Sequence, residues 1–264
     1  METVKNRIVI KVGTSTITTE TGENNFRTMD KLAQVLSGLA NEGYEVILVS
    51  SGAIAVGANK MGLQQKPKEL KLKQAAASVG QCELMHLYDK FFSEYGKMVS
   101  QILLSGDDVE NPVKKQNLRN TFFTLIEHNI IPIVNENDSV SYTEIESNDR
   151  LFGDNDMLSS VVAVLCRASK LVIFSDIDGF YNCDPRLHPD AKLIEEIDKI
   201  DDEVYKLAGG AGSRRGTGGM RTKLQAAALA TSQGIDTIIT NGKNPAALYD
   251  IIEGVPVGTK FKAQ

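Results

Sequence analysis

The residues best equipped for chemistry fall in short polar blocks. One is Gly216-Thr217-Gly218-Gly219-Met220-Arg221-Thr222-Lys223, three glycines within four residues, then two cations and a run of helical composition up to Gln233. Glycines at the start of a helix let a phosphate approach backbone N–H groups, and the helix end adds partial positive charge. The spacing is not the P-loop G-x-x-x-x-G-K-[ST], because Thr222 precedes Lys223, and not G-x-G-x-x-G, because Arg221 stands at the third glycine position. The other blocks are Lys11-Val12-Gly13-Thr14-Ser15, Ser50-Ser51-Gly52-Ala53, Asn135-Glu136-Asn137-Asp138, Gly153-Asp154-Asn155-Asp156 and Ser175-Asp176-Ile177-Asp178-Gly179. Lys11 lies in an apolar run, where a lysine is costly to bury unless paired. Either it is an edge lysine whose amine reaches water, or its ammonium is aimed at a phosphate. Lys223 is either a solvated helix lysine or a second such cation. Asp154 and Asp156 flank Asn155; they can hold Mg²⁺ or orient lysines, and one of them can cap the helix that follows.

The elements that must position these residues alternate between strand and helix. Strands are expected at 7–12, 45–50, 98–104, 130–135, 171–175 and 237–240. Helices are expected at 28–42, from Ala53, over 70–95 as one or two, and at 113–128, 157–167, 220–233 and 246–253. Residues 139–147 alternate in polarity like a hairpin. Short apolar strands between amphipathic helices predict a mainly parallel sheet covered on both faces, an α/β three-layer αβα sandwich. In such sheets ligands bind beyond the carboxyl ends of the strands, where all the strand-ending polar blocks fall. A glycine turn is the ordinary way to end a strand, but four such ends together with the block before the 157–167 helix, all on one edge, point to a common cause.

Bulk properties narrow the classes. The chain has 264 residues, 42% of them hydrophobic, and a net charge of −5. That length supports one compact domain, and an acidic balance is a poor footprint for nucleic acid. Cys82, Cys166 and Cys183 are an odd, scattered set with no C-x-x-C, which argues against a disulfide framework or a zinc site. The N-terminal stretch has no long apolar segment of the secretory kind, and no apolar run is long enough to span a bilayer, so a cytoplasmic protein without a membrane partner is expected.

Taken in order, Lys11–Ser15, Val49–Ile54, Val134–Asp138, Gly153–Asp156, Tyr181–Arg186 and Gly216–Ala227 resemble the amino-acid kinase superfamily, and within it the glutamate 5-kinase family. The resemblance runs over nearly the whole chain and implies a single kinase domain over 1–264; many bacterial relatives carry a further C-terminal domain of the PUA type, and its lack here is expected as a departure from them. It implies transfer of the ATP γ-phosphoryl group to the side-chain carboxylate of L-glutamate, the first step of proline biosynthesis, with ATP and Mg²⁺ required. By the same resemblance Lys11 and Lys223 stabilise the moving phosphoryl group and Asp154 orients them. Ser51, Gly52, Asp138 and Asn155 hold glutamate, with Asp138 suited to its α-ammonium. Lys11, Gly13, Ser175, Asp176 and Thr217, Gly218, Gly219, Met220, Arg221, Thr222 and Lys223 bind ATP; Asp156 remains open as a metal ligand. The family also implies a homo-oligomer, dimer or tetramer, and feedback by proline through the Ser51–Pro67 loop. Cys183 stands where the family usually has alanine. A carboxylate acceptor needs no general base, and none of His86, His128 and His188 falls at a strand end. The rivals are an acetylglutamate, aspartate or uridylate kinase of the same superfamily and a catalytically silent module. Asp138 argues against an acetylated amine, and the presence of Lys11, Asp154 and Lys223 argues against silence.

Overall fold

The computed structural model describes residues 3–19, 21–63, 65, 67–140, 154–208 and 219–264. The chain runs β1 (Val4–Val12), α1 (Thr14–Ile17), α2 (Phe26–Asn41), β2 (Glu45–Ser50), α3 (Ala53–Lys60), α4 (Leu70–Glu94), β3 (Met98–Leu104), α5 (Gly106–Glu110), α6 (Pro112–Glu127) and β4 (Ile130–Glu136). It continues α7 (Asn155–Cys166), β5 (Ala168–Ser175), β6 (Glu196–Ile197), α8 (Asp202–Leu207), α9 (Met220–Thr231), β7 (Asp236–Asn241), α10 (Ala247–Glu253) and β8 (Thr259–Phe261). All the expected strands form, as do the helices at the ends of the apolar periodicities. The stretch over 70–95 is one helix. The short α1, α5 and α8 and the short strands β6 and β8 were not expected; each is too short to carry a periodic signal. Residues 141–147 of the expected hairpin lie outside the described residues.

The strands form one sheet in the order β3-β4-β2-β1-β5-β7-β8-β6. Every pair is parallel except β7 with β8. The sheet is therefore mixed and mostly parallel, with helices on both faces. Side chains alternate between those faces. On β1, Ile8, Ile10 and Val12 pack into a core with α2, α3, α4 and α10. Val9 faces the other way, into the core made with α6, α7 and α9. Lys11 shares the parity of Val9 and so points toward the α7 and α9 side.

The strand order also places the crevice. From β1 the chain winds outward to β2, β4 and β3 on one side, and it resumes at β5 on the other side of β1. The crossover is α7, whose N-terminus therefore lies beyond the carboxyl ends of β2, β1 and β5. A reversal of winding of this kind is where open α/β sheets leave room for a ligand.

Candidate active site

Lys11 is registered between Val49 of β2 and Ile173 of β5, in the middle of the sheet. Both neighbours are fully buried, and Lys11 itself is only 7% exposed. The edge-lysine alternative is thereby excluded. A buried ammonium in such a row requires a counter-charge. Asp156, in the first turn of α7, supplies it: Lys11 Nζ lies 2.6 Å from Asp156 Oδ1. Lys223, one turn into α9 and also 7% exposed, places Nζ 2.9 Å from Asp156 Oδ2. Thr222 Oγ1 is 3.3 Å from the same oxygen. One carboxylate thus holds two ammonium groups side by side from two different elements. Burial by itself raises the Asp156 carboxyl, but the Lys11 and Lys223 charges outweigh it and hold the group at about 2. Asp156 is a carboxylate at any physiological pH.

This corrects the expectation for Asp154. Its Oδ1 accepts from the backbone N–H of Asp156 at 3.0 Å and of Met157 at 3.1 Å, which makes it the N-cap of α7. The physical reason is helix geometry: the cap residue lies outside the helix and turns its oxygen back to the first free N–H groups. Asp156, two residues on, projects from the helix toward the sheet. The other oxygen of Asp154, Oδ2, is buried without a hydrogen-bond partner among the described residues.

Beside the lysine pair lies a web of amides and hydroxyls. Asn155 Nδ2 donates to Ser51 Oγ at 2.9 Å, to the Ser50 carbonyl at 3.2 Å and to Asn135 Oδ1 at 2.9 Å. Asn135 ends β4 and donates in turn to Gln81 Oε1 of α4 at 2.9 Å. Ser50 Oγ meets the hydroxyl of the fully buried Tyr88 at 2.7 Å. Gly52 has φ of 101°, a left-handed conformation, and a Cβ there would lie 2.7 Å from Ile17 Cδ1. Only glycine lets the chain turn from β2 into α3 at this point. Asp138, half-buried, follows β4 on the same edge.

On the β5 side, Ser175 is buried and its Oγ lies 3.2 Å from Asp176 Oδ1, while Asp176 is exposed. Gly13 caps the short α1, and a Cβ on it would sit 3.4 Å from Lys11 Nζ. Gly219 caps α9 with no side-chain hydrogen bond, and Met220 and the exposed Arg221 open its first turn. Thr217 and Gly218 lie outside the described residues, as do Gly216 and Gly153. The sheet edge therefore brings together Lys11, Lys223, Ser51, Gly52 and Asn155, with Asp154 and Asp156 between them. Asn135, Gln81 and Tyr88 were not expected as site residues. A register argument finds Asn135, the polar end of an apolar strand, but no local signal distinguishes Gln81 from any other helix glutamine.

A paired-lysine clamp held by a buried carboxylate, beyond a parallel sheet and next to a glycine-capped helix, is suited to gathering negative charge. Residues 6–241 match the amino acid kinase family. The chain belongs to the amino acid kinase family. It is 55% identical over 258 residues to the glutamate 5-kinase of Clostridium perfringens, covering 98% of this chain and 96% of that one. It is 52% identical to the glutamate 5-kinase of Listeria innocua, over all of this chain and 96% of that one. The fold is shared more widely. Carbamate kinase from Giardia lamblia bound to AMP-PNP superposes with a TM-score of 0.68 at 17% identity, over 98% of this chain and 99% of that one. UMP kinase from Bacillus anthracis gives 0.65 at 15% identity, over 98% and 96%. No helix among the described residues is long and apolar enough to cross a membrane.

Proposed function

We infer that this chain is a glutamate 5-kinase: it transfers the γ-phosphoryl group of ATP to the side-chain carboxylate of L-glutamate, the first step of proline biosynthesis. The observation that carries the chemistry is Asp156 holding Lys11 and Lys223 together. The glutamate 5-kinases at 49–55% identity support the choice of acceptor.

The reaction needs one bond made and one broken. An oxygen of the glutamate side-chain carboxylate attacks the γ-phosphorus while the bond from that phosphorus to the β–γ bridging oxygen breaks, and ADP leaves with the bond's electron pair. The nucleophile is already ionised, so no residue has to remove a proton. What the protein must supply is alignment and positive charge where the equatorial oxygens gather electron density. Lys11 and Lys223 sit where they can do this, and Asp156 fixes their separation. Asp154 Oδ2, with Asp138 and the side-chain oxygen Oδ1 of Asn155, receives the α-ammonium. Ser51 and the Gly52 turn border the same acceptor. Gly13, Ser175, Asp176 and the start of α9 from Gly219 through Met220, Arg221 and Thr222 cradle the nucleotide, continuing into Thr217 and Gly218.

The residues present fit a magnesium ion carried by the phosphates rather than one held in a protein cage. Both oxygens of Asp156 are engaged by ammonium groups, and the described residues hold no cluster of three metal-ligating side chains. Mg²⁺ bound with ATP would neutralise phosphate charge that two lysines alone leave uncompensated. A homo-oligomer and inhibition by proline at the acceptor site belong to the same reading.

The test is ADP release with Mg²⁺-ATP and L-glutamate, hydroxylamine trapping the acyl phosphate as a hydroxamate. N-acetylglutamate, aspartate and UMP are run in parallel. Hydroxamate from glutamate alone is expected; turnover with another acceptor instead would keep the lysine roles and discard the substrate.

A further inference from the structure

The three amides of the web have a single possible orientation. Asn135 Oδ1 accepts the backbone N–H of Glu136 at 2.9 Å, and Asn155 Nδ2 faces the Ser50 carbonyl. A main-chain N–H and a main-chain carbonyl cannot exchange roles, so neither side-chain amide can be turned over. Asn135 therefore presents Nδ2 to Gln81, and Gln81 must offer Oε1 in return. The chain of amides has two free ends. The acceptor end is Asn155 Oδ1 and the donor end is Gln81 Nε2, neither with a hydrogen-bond partner among the described residues.

The packing that brings Gln81 here is specific. Its neighbour Gly80 lies against α3: a Cβ on Gly80 would fall inside the Ala53 carbonyl oxygen, and one on Gly57 inside the Ala76 carbonyl oxygen. The two helices touch backbone to backbone at Ala53, the residue that follows Ser51 and Gly52. Gln81 is consequently carried to the sheet edge by the closest helix contact in the acceptor half.

We propose that Gln81 is a specificity-determining residue of the acceptor site, its Nε2 donating to the α-carboxylate of the amino acid. An α-amino acid carries a cation and an anion on one carbon, and the amide chain offers an acceptor and a donor in fixed polarity. The proposal rests on the glutamate reading above and adds to it the group that recognises the carboxylate which does not react.

Gln81→Glu separates this role from a structural one, because it keeps an oxygen for Asn135 Nδ2 and puts a negatively charged acceptor in place of the donor. Gln81→Met removes both polar atoms at similar volume and is the second variant should the first fail to fold. Each is assayed beside the unmutated protein for the KM of L-glutamate, the KM of ATP and the inhibition constant of 4-aminobutyrate, which is glutamate without its α-carboxylate. Loss of a hydrogen bond to a charged group predicts a glutamate KM raised about tenfold or more, with the ATP KM and the 4-aminobutyrate constant changed by less than about threefold. An unchanged glutamate KM in Gln81→Glu overturns the proposal. So does an equal weakening of glutamate and 4-aminobutyrate, which would mean the residue only supports Asn135. Absence of glutamyl hydroxamate from the unmutated protein would instead reject the glutamate reading, and the proposal with it.

Discussion

At the scale of single residues, the site is one buried carboxylate between two buried ammonium groups. Removing either lysine takes away a stabiliser of transition-state charge, and Lys11→Ala or Lys223→Ala is expected to lower kcat by about a hundredfold to a thousandfold, about 2.7–4 kcal/mol. Near-normal turnover of either variant would refute the role. Asp156→Asn leaves two ammonium groups buried without their counter-charge, and a loss of about 3–5 kcal/mol of stability is expected at pH 7. The pH dependence has a definite sign. The folded-state carboxyl at about 2 lies below its ordinary value of 3.8. Its contribution is thus complete above that ordinary value and is lost as pH falls toward 2, an effect of about 2 kcal/mol. Urea melts of the wild type and Asp156→Asn should converge by that amount between neutral and strongly acidic pH; a constant gap would show that Asp156 is not the group titrating. Asp154 separates differently. Asn caps a helix about as well as Asp, so Asp154→Asn should melt within about 0.5 kcal/mol of wild type. If Asp154 Oδ2 receives the α-ammonium, the same variant should still raise the glutamate KM.

At the scale of elements, two contacts set the acceptor half. The Asp154 cap starts α7 at a fixed residue and so delivers Asn155 and Asp156 to the strand ends. The glycine contact between α3 and α4 delivers Ser51, Gly52 and Gln81. Alanine is the better helix former by about 1 kcal/mol, so an isolated helix would gain from Gly80→Ala. Here the new methyl meets the Ala53 carbonyl, and α3 must move. Overpacking of this kind costs about 1–3 kcal/mol. Gly80→Ala is expected to lower the urea midpoint and raise the glutamate KM together, with the ATP KM little changed. A stabilised variant would show that the helices separate freely.

At the scale of the molecule, the two edges of the sheet do different work. The carboxyl edge carries the polar blocks. The opposite edge is closed by Arg7, which pairs with Glu45 at 2.7 Å, donates to the Cys166 carbonyl at the end of α7 and lies 4.8 Å from the centre of the Phe123 ring. Arg7 is 8% exposed and ties β1, β2, α6 and α7 together at the end remote from Lys11. Arg7→Met is expected to cost about 2 kcal/mol of stability, through lost hydrogen bonds to a charged group, with kcat and both KM values near wild type. A selective loss of activity would mean that strain at this edge reaches the lysine pair.

Much of this was determined by the sequence alone. Continuous apolar strands between periodic helices can only be buried as a mostly parallel sheet covered on both faces, and glycine and acidic turns at the strand ends locate the working edge. The order of the polar blocks identified the family. Local patterns could not divide labour between Asp154 and Asp156, since both are acidic and both begin the same helix. That was decided by the direction in which α7 leaves the sheet edge, which turns one oxygen of Asp154 back onto the helix and sends Asp156 to Lys11 and Lys223. Nor could they decide whether Lys11 was buried, which depends on β1 lying between β2 and β5. Gln81 belongs wholly to tertiary structure: its place follows from a backbone contact between two helices, and the polarity of its amide from a carbonyl and an N–H on two strands far away in the chain.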